Sequence, residues 1–576
     1  MLASRVDQRN KAQKPFDGGI LYELELWQDK LLQRRRFTMV ADVVLYNGKV
    51  VTVDARESVA EAAAVKSGKL LAVGSNEEIT ALIEAETKAI DLKGRTMIPG
   101  FIESHCHMSL GEGLQRVMGI VDGSHEAGGR SLADILAKIA EQAKSKSKGE
   151  WIHVHKEDES KLAEKRHPNR WDLDKVAPHH PVMVTTVGGH FAIVNSKAFE
   201  VAGVTKDTPD PMGGRFEKDL TTGALTGWIH ESAIEVLQPV KGGREPNLEE
   251  AMEGIRWMAE QYVASGLVYA YDVVTQGIIT RAYQELLSRG QLPLRIALEI
   301  YHELMPHLVQ LGIIQGFGNA MLKIGGIKIF ADGAISARTA AVAEPYLDRP
   351  DYCGELAITR EELYRIIMEG YPRGYRFCVH ANGERAINMV LDTIEEAQEK
   401  YPRQDPRNRI IHCTVVTQEI IGRIKRLGVL PTIFGPYAYY HGDKILPAFG
   451  AERLERMFAA RSFIDAGIKV AAHSDHPASP YPPLMGIHAL VNRRSASGQP
   501  IGTSQKISVM EALKLYTINA AYHTFEEAIL GSIENGKLAD MVVLGKDILT
   551  VPPETIMDIP VDMTIVDGRI VYQREA

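Results

Sequence analysis

The stretch Thr96-Met97-Ile98-Pro99-Gly100-Phe101-Ile102-Glu103-Ser104-His105-Cys106-His107 decides how this chain is read. An apolar run passes through a Pro-Gly pair into two histidines one residue apart. On a β-strand alternate side chains share a face, so His105 and His107 point one way and Cys106 the other. Two imidazoles at a strand end suit a borderline-soft divalent cation such as zinc. Alone, the pair describes two ordinary polar histidines equally well, and the remainder of the chain has to decide.

Outward from this stretch, apolar strand-like runs alternate with helical patterns. Gly326 to Phe330, Phe377 to His380, Arg409 to His412, Val429 to Phe434 and Lys469 to Ala472 read as strands. Glu361 to Gly370, Ala386 to Lys400, Gln418 to Leu427 and Leu454 to Ala466 read as helices between them. That βαβα rhythm implies a parallel sheet covered by helices, and its length suits an α/β fold of the (β/α)8 TIM-barrel type. Both ends of the chain carry hairpin signals instead. Asp42 to Tyr46 and Lys49 to Val53 flank Asn47-Gly48, Ala62 to Lys66 and Leu70 to Val73 flank Ser67-Gly68-Lys69, and Asp567-Gly568 lies between two short strands near the C-terminus. Neither end has strands enough for a stable sheet of its own. The expected organisation is an N-terminal extension at 1–39, with an amphipathic stretch from Ile20 to Leu32. A discontinuous β-sandwich follows at 40–97 and 535–576, with a barrel at 98–114 and 236–534 and an inserted subdomain at 115–235.

The bulk composition bounds the function. A chain of 576 residues is too long for one simple core. With 45% hydrophobic and 24% charged residues it reads as a globular protein. A net charge of −8 argues against a nucleic-acid partner, and no apolar run has membrane-spanning length. The four cysteines, Cys106, Cys353, Cys378 and Cys413, are scattered without a Cys-x-x-Cys pair, which fits a reducing, cytoplasmic setting.

Ionisable residues recur near the C-terminal ends of the predicted strands, the face where barrel active sites lie. They are Lys328, His380, His412 and Asp475. Each has a plain alternative: a rim histidine, a lysine paired with Asp332, an aspartate in a turn. Their joint appearance on one face in strand order, with His105 and His107, favours a shared site.

On Ile98 to His107, Gly189 to Ser196, Lys328 to Gly333, His380 to Gly383, Ile411 to Cys413, Ser474 to Pro477 and Gly531 to Asp540, the chain resembles the amidohydrolase superfamily. Within it, the resemblance is to amidohydrolase family 3, the branch that includes N-substituted formamide deformylases. The resemblance implies a metal-dependent hydrolase with one or two divalent cations, zinc by expectation. His105, His107 and Asp475 would hold one cation and His380 and His412 another. Lys328, carboxylated by carbon dioxide, would bridge them. It further implies hydrolysis of a carbon–nitrogen bond, in a linear amide or N-substituted formamide, by metal-activated hydroxide with Asp475 as acid and base. Cyclic amide opening, deamination or a lyase or hydratase step at the same site is the alternative. A non-catalytic regulatory relative is disfavoured because all six ligand-type residues are present.

By the same resemblance His190 would contact substrate or steady the transition state. His473, Tyr437, Tyr440 and His441 are candidate substrate contacts, and Tyr439 belongs to the same loop. Asp332-Gly333 is expected to steady the site. Arg338 is expected to pair with Glu344, an acidic substrate being the alternative. Three positions depart from the family pattern: Ile411 where many relatives have glutamate, His473 two before the aspartate, and His476 after it. The expected partner is a small-molecule substrate, with a homodimer as the default assembly.

Overall fold

The computed structural model describes residues 40–125, 127–187, 189–237, 245–274 and 277–575. The expected extension at 1–39 and its amphipathic stretch lie outside the described residues. The central element is an eight-stranded parallel sheet whose strands follow chain order: Phe101–Cys106, Leu267–Val274, Arg295–Tyr301, Leu322–Phe330, Phe377–Ala381, Arg409–His412, Leu430–Phe434 and Ala471–His473. Its strands are buried on both faces, as a helix-covered parallel sheet requires; every residue of Leu267–Val274 is buried.

Helices cover the outside for reasons visible in the sequence. Glu384–Lys400 buries Ile387, Val390, Leu391 and Ile394 at spacings of three and four, one apolar stripe. Gln418–Leu427 starts where the Thr417 side chain accepts from Ile420 N and ends at Gly428 in the left-handed region.

The first and last strands close the barrel with a short seam. The Glu103 carboxylate accepts from Ser474 N at 3.0 and 3.1 Å. Ser104 Oγ donates to the Ala472 carbonyl at 2.6 Å. Asp475 N donates to the His105 carbonyl at 3.2 Å and His107 N to the His476 carbonyl at 2.7 Å. The seam therefore carries the two histidines to the aspartate. The first strand ends at Cys106, so His107 lies just past it; the bond to His476 keeps its backbone on the strand's course.

Two smaller sheets pack face to face at the chain's ends. One contains Lys69–Gly74, Ala62–Lys66, Val43–Tyr46 and Lys88–Asp91. The other contains Arg569–Gln573, Val561–Val566, Met541–Leu544, Thr96–Pro99, Lys49–Val51 and Val59–Ala60. Leu45, Val50, Ala63, Met97, Val543 and Ile565 fill the space between. Thr96–Pro99 belongs to this second sheet throughout, two residues beyond the expected boundary at 97. The barrel begins after Gly100, where a Cβ would stand 2.4 Å from both methyls of Val268.

The Asn47-Gly48 hairpin does not form. Val43–Tyr46 pairs with Ala62–Lys66 and Lys88–Asp91 in one sheet, while Lys49–Val51 pairs with Val59–Ala60 and Thr96–Pro99 in the other. Asn47, at φ 55°, turns the chain from one layer to the next instead of folding it back. The turns at Ser67-Gly68 and Asp567-Gly568 do join antiparallel neighbours.

The segment between the first two barrel strands builds its own six-stranded sheet. It runs from Val121–Asp122 through Ile152–Glu157, Val182–Thr186, Phe191–Val194 and Leu225–Glu231 to Gly214–Lys218. Its cores, centred on Ile135, Val154 and Val184 on one face and Ala192, Phe216 and Ile229 on the other, are separate from the barrel's. No described helix is long and apolar enough to cross a membrane.

The C-terminal motif ending in Asp540 fastens the terminal sheets to the barrel. Fully buried Arg295, which opens the third strand, gives Nε to Asp540 Oδ2 at 2.6 Å and Nη2 to Oδ1 at 2.9 Å. Arg295 Nη2 also reaches Asp567 Oδ1 at 2.5 Å, so losing Asp540 removes two of the three charge-assisted bonds and leaves one, at a cost of about 1.5–3 kcal/mol. Asp540→Ala should therefore lower unfolding free energy by that order in a denaturant titration, and an unchanged midpoint would contradict this role.

Candidate metal centre

Six ionisable side chains meet at the C-terminal mouth of the barrel. The Nε2 of His105, whose side chain is fully buried, lies 3.0 Å from Lys328 Nζ and 3.3 Å from Asp475 Oδ1. His107 Nε2 lies 3.6 Å from the same Asp475 oxygen. Ligand atoms about 2.1 Å from one tetrahedral cation stand roughly 3.4 Å apart, so these spacings fit a shared ion. His380 Nδ1 faces His412 Nε2 at 3.0 Å. The His105 and His412 rings are 5.6 Å apart, which joins the two groups into one cluster.

Their surroundings present the imidazoles as neutral ligands. Burial pulls His105, His380 and His412 well below the ordinary histidine range. It also takes His107 to about 3, with the nearby Lys328 ammonium acting the same way. Burial pulls the Lys328 amine down and pushes the Asp475 carboxyl up, each opposed by the other's charge. Asp475 Oδ1 and His412 Nδ1 are buried and accept or donate no hydrogen bond among the described residues. A donor set of neutral imidazoles, a carboxylate with an unshared oxygen and an amine fits a divalent cation on its chemistry.

Hydrogen bonds behind the cluster choose which nitrogen faces it. Glu299 Oε2 accepts a hydrogen bond from His105 Nδ1 at 3.1 Å, leaving Nε2 for the centre. Glu299 is itself paired with the buried Arg409, whose guanidinium also reaches Thr432 Oγ1 at 3.1 Å. The Gly333 carbonyl accepts from His380 Nε2 at 3.2 Å, turning Nδ1 toward His412. Asp332 does not pair with Lys328. It accepts the backbone N–H groups of Ala341, Asn382 and Gly383, each at 2.9 Å, and so holds the loop after the fifth strand.

Backbone strain adds to this. His412 at φ 71° and Asp475 at φ 57° lie in the left-handed region, costing each about 1–2 kcal/mol. Histidine and aspartate enter this region more often than most residues, but too rarely for either position to be read from sequence. Glu299 and Arg409 were also missed; their signal is a charge inside an otherwise apolar parallel strand, the same anomaly that marks Lys328.

His190 comes from the inserted subdomain. Its Nδ1 is tied to Glu231 Oε2 at 2.7 Å, and its ring lies 5.5 Å from that of His380. Burial works to lower its pKa, but the Glu231 carboxylate outweighs it and the imidazole is held above its ordinary range. His107, His190, Phe330, His380 and Asp475 line one cavity of about 340 Å³. Tyr437 and His441 line an adjoining recess with His190, His380 and Asp475.

Three expected contacts fall elsewhere. Tyr440 lines a neighbouring cavity of about 360 Å³, with Lys161 Nζ 3.2 Å above its ring. His473 is fully buried against His105, His412 and Phe434, with neither ring nitrogen hydrogen-bonded, so it backs the metal centre instead of forming a substrate wall. Arg338 pairs through Nε with Asp348 at 2.6 Å, not with Glu344, which Arg453 and Arg456 hold. His476 is accounted for by Glu112 and by Tyr262 Oη at 3.1 Å. Ile411 is fully buried.

Fold and site together define a parallel barrel with an imidazole, carboxylate and lysine centre at its strand ends. The amidohydrolase family model matches residues 88–572, and the chain belongs to that family. It is 31% identical over 524 residues to YtcJ of Bacillus subtilis, covering 89% of this chain and 96% of YtcJ. It is 27% identical over 550 residues to the N-substituted formamide deformylase of Arthrobacter pascens, covering 93% and 99%. Among solved structures, a metal-dependent hydrolase from Pyrococcus horikoshii superposes with a TM-score of 0.70 at 25% identity, covering 89% of this chain and 99% of that one.

If Glu299 orients His105, Glu299→Gln should weaken zinc affinity about 10–100-fold in a chelator competition. Affinity equal to the parent protein would remove that role.

Proposed function

We propose that this protein hydrolyses a carbon–nitrogen bond in a small molecule, a linear amide or an N-substituted formamide. The observation that carries the reading is the convergence of His105 Nε2 on Lys328 Nζ and Asp475 Oδ1 within 3.0 and 3.3 Å at the mouth of the barrel. The choice of bond follows from the likeness to a formamide deformylase over nearly the whole of both chains.

His105, His107 and Asp475 would hold one divalent cation, zinc by their donor types, and His380 and His412 a second. Such a cation supplies Lewis acidity toward a carbonyl oxygen and acidity to water. Lys328 Nζ, buried and depressed toward its neutral form, is suited to add carbon dioxide, losing one proton and gaining an anionic carbamate that offers oxygen donors to both positions.

The remaining roles belong to the chain's own groups. Asp475 turns Oδ1 to His105 and His107, and its carboxylate would take a proton from the attacking water and deliver it to the departing nitrogen. His190, fixed by Glu231 and raised in pKa, is placed to donate to the oxygen that gains charge as the carbonyl carbon becomes tetrahedral. Residues of the inserted segment, among them Thr185, Thr186 and Val187, share the cavity with both.

The test is turnover of a panel of N-alkyl and N-aryl formamides and acetamides, following released amine. Chelation should abolish it and zinc should restore it. Asp475→Asn should lose at least about 10²-fold in kcat with its melting temperature held. Elemental analysis should find one or two metal ions per chain. Failure of the metal-replete protein to turn over any member of the panel would overturn the reading.

A further inference from the structure

Beside the metal-centre cavity lies another of about 230 Å³, lined by Phe191, Trp228, Arg338 and Arg349 among others. Thr186 and Val187 line both this cavity and the one holding His107, His190 and Asp475. Ser336 is shared with the recess around His380 and Asp475. The shared lining places this cavity next to the centre, where the far end of a substrate would lie.

One wall is aromatic. The Phe191 ring lies 4.7 Å from His167, 4.6 Å from His230 and 5.7 Å from Trp228. Trp228 Nε1 is already given to the Pro168 carbonyl at 2.8 Å, so the indole offers only its ring. Such a wall takes a flat apolar body.

The other wall is cationic. Lys165, Arg166, Arg338, Arg349 and Lys444 line the cavity against a single acid, Glu159. Arg166 is held by Asp172 at 2.8 Å, and Lys444 by Glu159 at 2.6 Å and Asp158 at 3.3 Å. Lys165 Nζ donates to the Ser160 carbonyl. Arg338 and Arg349 differ from these. Asp348 accepts from Arg338 Nε, and the arginine's terminal nitrogens donate no hydrogen bond among the described residues. Its backbone sits at φ 59°, a conformation that arginine adopts only at a cost, and its side chain is 17% exposed. The Arg349 guanidinium has no hydrogen bond or ion pair among the described residues. The acid whose pKa it helps lower, Glu217, is bound by His230 at 3.1 Å and Arg215 at 3.8 Å. Two guanidiniums with open donors in a half-closed, aromatic-walled cavity are suited to an oxyanion, which they bind in planar, charge-assisted pairs.

We propose that this cavity is the subsite for a carboxylate or phosphate group carried on an aromatic body, anchored by Arg338 and Arg349. The substrate is then an anionic amide whose charge lies away from the bond that breaks. The inference rests on the reading of the metal centre as the reacting end.

Calorimetric titration of the metal-replete full chain with benzoate, phenyl phosphate and benzyl alcohol tests it without requiring turnover. At least one anion should bind about tenfold or more tighter than the neutral alcohol, and added salt should reduce the difference. The tighter anion identifies the group. The preference should disappear in the double variant Arg338→Asn, Arg349→Gln, with metal content unchanged; asparagine tolerates the left-handed backbone at 338. If the double variant lacks a native circular dichroism spectrum, Arg349→Gln alone should lose part of the preference. Equal binding of benzyl alcohol, no binding of either anion, or a preference that survives both substitutions would overturn the proposal, the last by placing the anion on the metal. Anion preference without amide turnover would instead overturn the hydrolase reading and leave the subsite standing.

Discussion

The seam between the first and eighth barrel strands is the constraint on which the rest of this molecule depends. Ser474 N reaches the Glu103 carboxylate across 371 residues of chain, and the same few bonds bring His105 and His107 to Asp475. Burial pushes the Glu103 carboxyl up to about 8, against the opposing pull of the hydrogen bonds it accepts from Ser474 and His105. Closing so long a loop costs little more than closing one half as long, about 0.6 kcal/mol per doubling. That slow growth allows a whole subdomain with its own cores to sit between the first and second strands without loosening the closure.

Around the seam, a second layer converts ordinary side chains into directed ones. Histidine offers two nitrogens, and which one faces inward is set by what the other is given: Glu299 for His105 and the Gly333 carbonyl for His380. Glu299 is tolerated in the core because Arg409 neutralises it. Gly333 has no alternative, since a Cβ there would meet Thr339 Oγ1 at 2.2 Å and Glu231 Oε1 at 2.4 Å. The carbonyl that orients His380 and the carboxylate that orients His190 thus crowd the same point. The left-handed backbone at His412 and Asp475 is strain that this layer holds in place.

Much of the fold and of the candidate centre was legible because burial makes exceptions visible. A parallel strand is apolar throughout, so Lys328 inside Gly326 to Phe330 and a histidine ending Arg409–His412 stand out against their neighbours. What stayed illegible depends on choices between equal local options. Asn47-Gly48 permits a turn but does not say whether the next strand returns to its own sheet or enters the facing one; packing in three dimensions decides. Tyr437 and Tyr440 begin and end one short helix that no strong periodicity announces, yet they line different cavities, which the packing of neighbouring loops decides. Partners such as Asp348 for Arg338 and Glu112 for His476 follow from loop paths, which have no pattern in sequence.

The candidate ligands and the aromatic wall beside them rest on separate cores in this architecture, and that separation has a mechanical consequence. The ligand-type residues stand on barrel strands or immediately after them. Glu231, Thr186, Phe191 and Trp228 stand on the inserted sheet, which packs within itself, and His190 immediately precedes the strand that Phe191 opens. Glu231 and Phe191 lie on adjacent strands, Phe191 facing His230 in register, so the group that steadies His190 and the wall that meets the substrate's far end are one rigid unit. A small tilt of that unit moves His190 relative to His380 and the aromatic wall relative to Arg338 together. Gripping the far end of a substrate would therefore also set the distance at which His190 meets the reacting carbonyl, so that binding energy gained away from the bond is expressed at it.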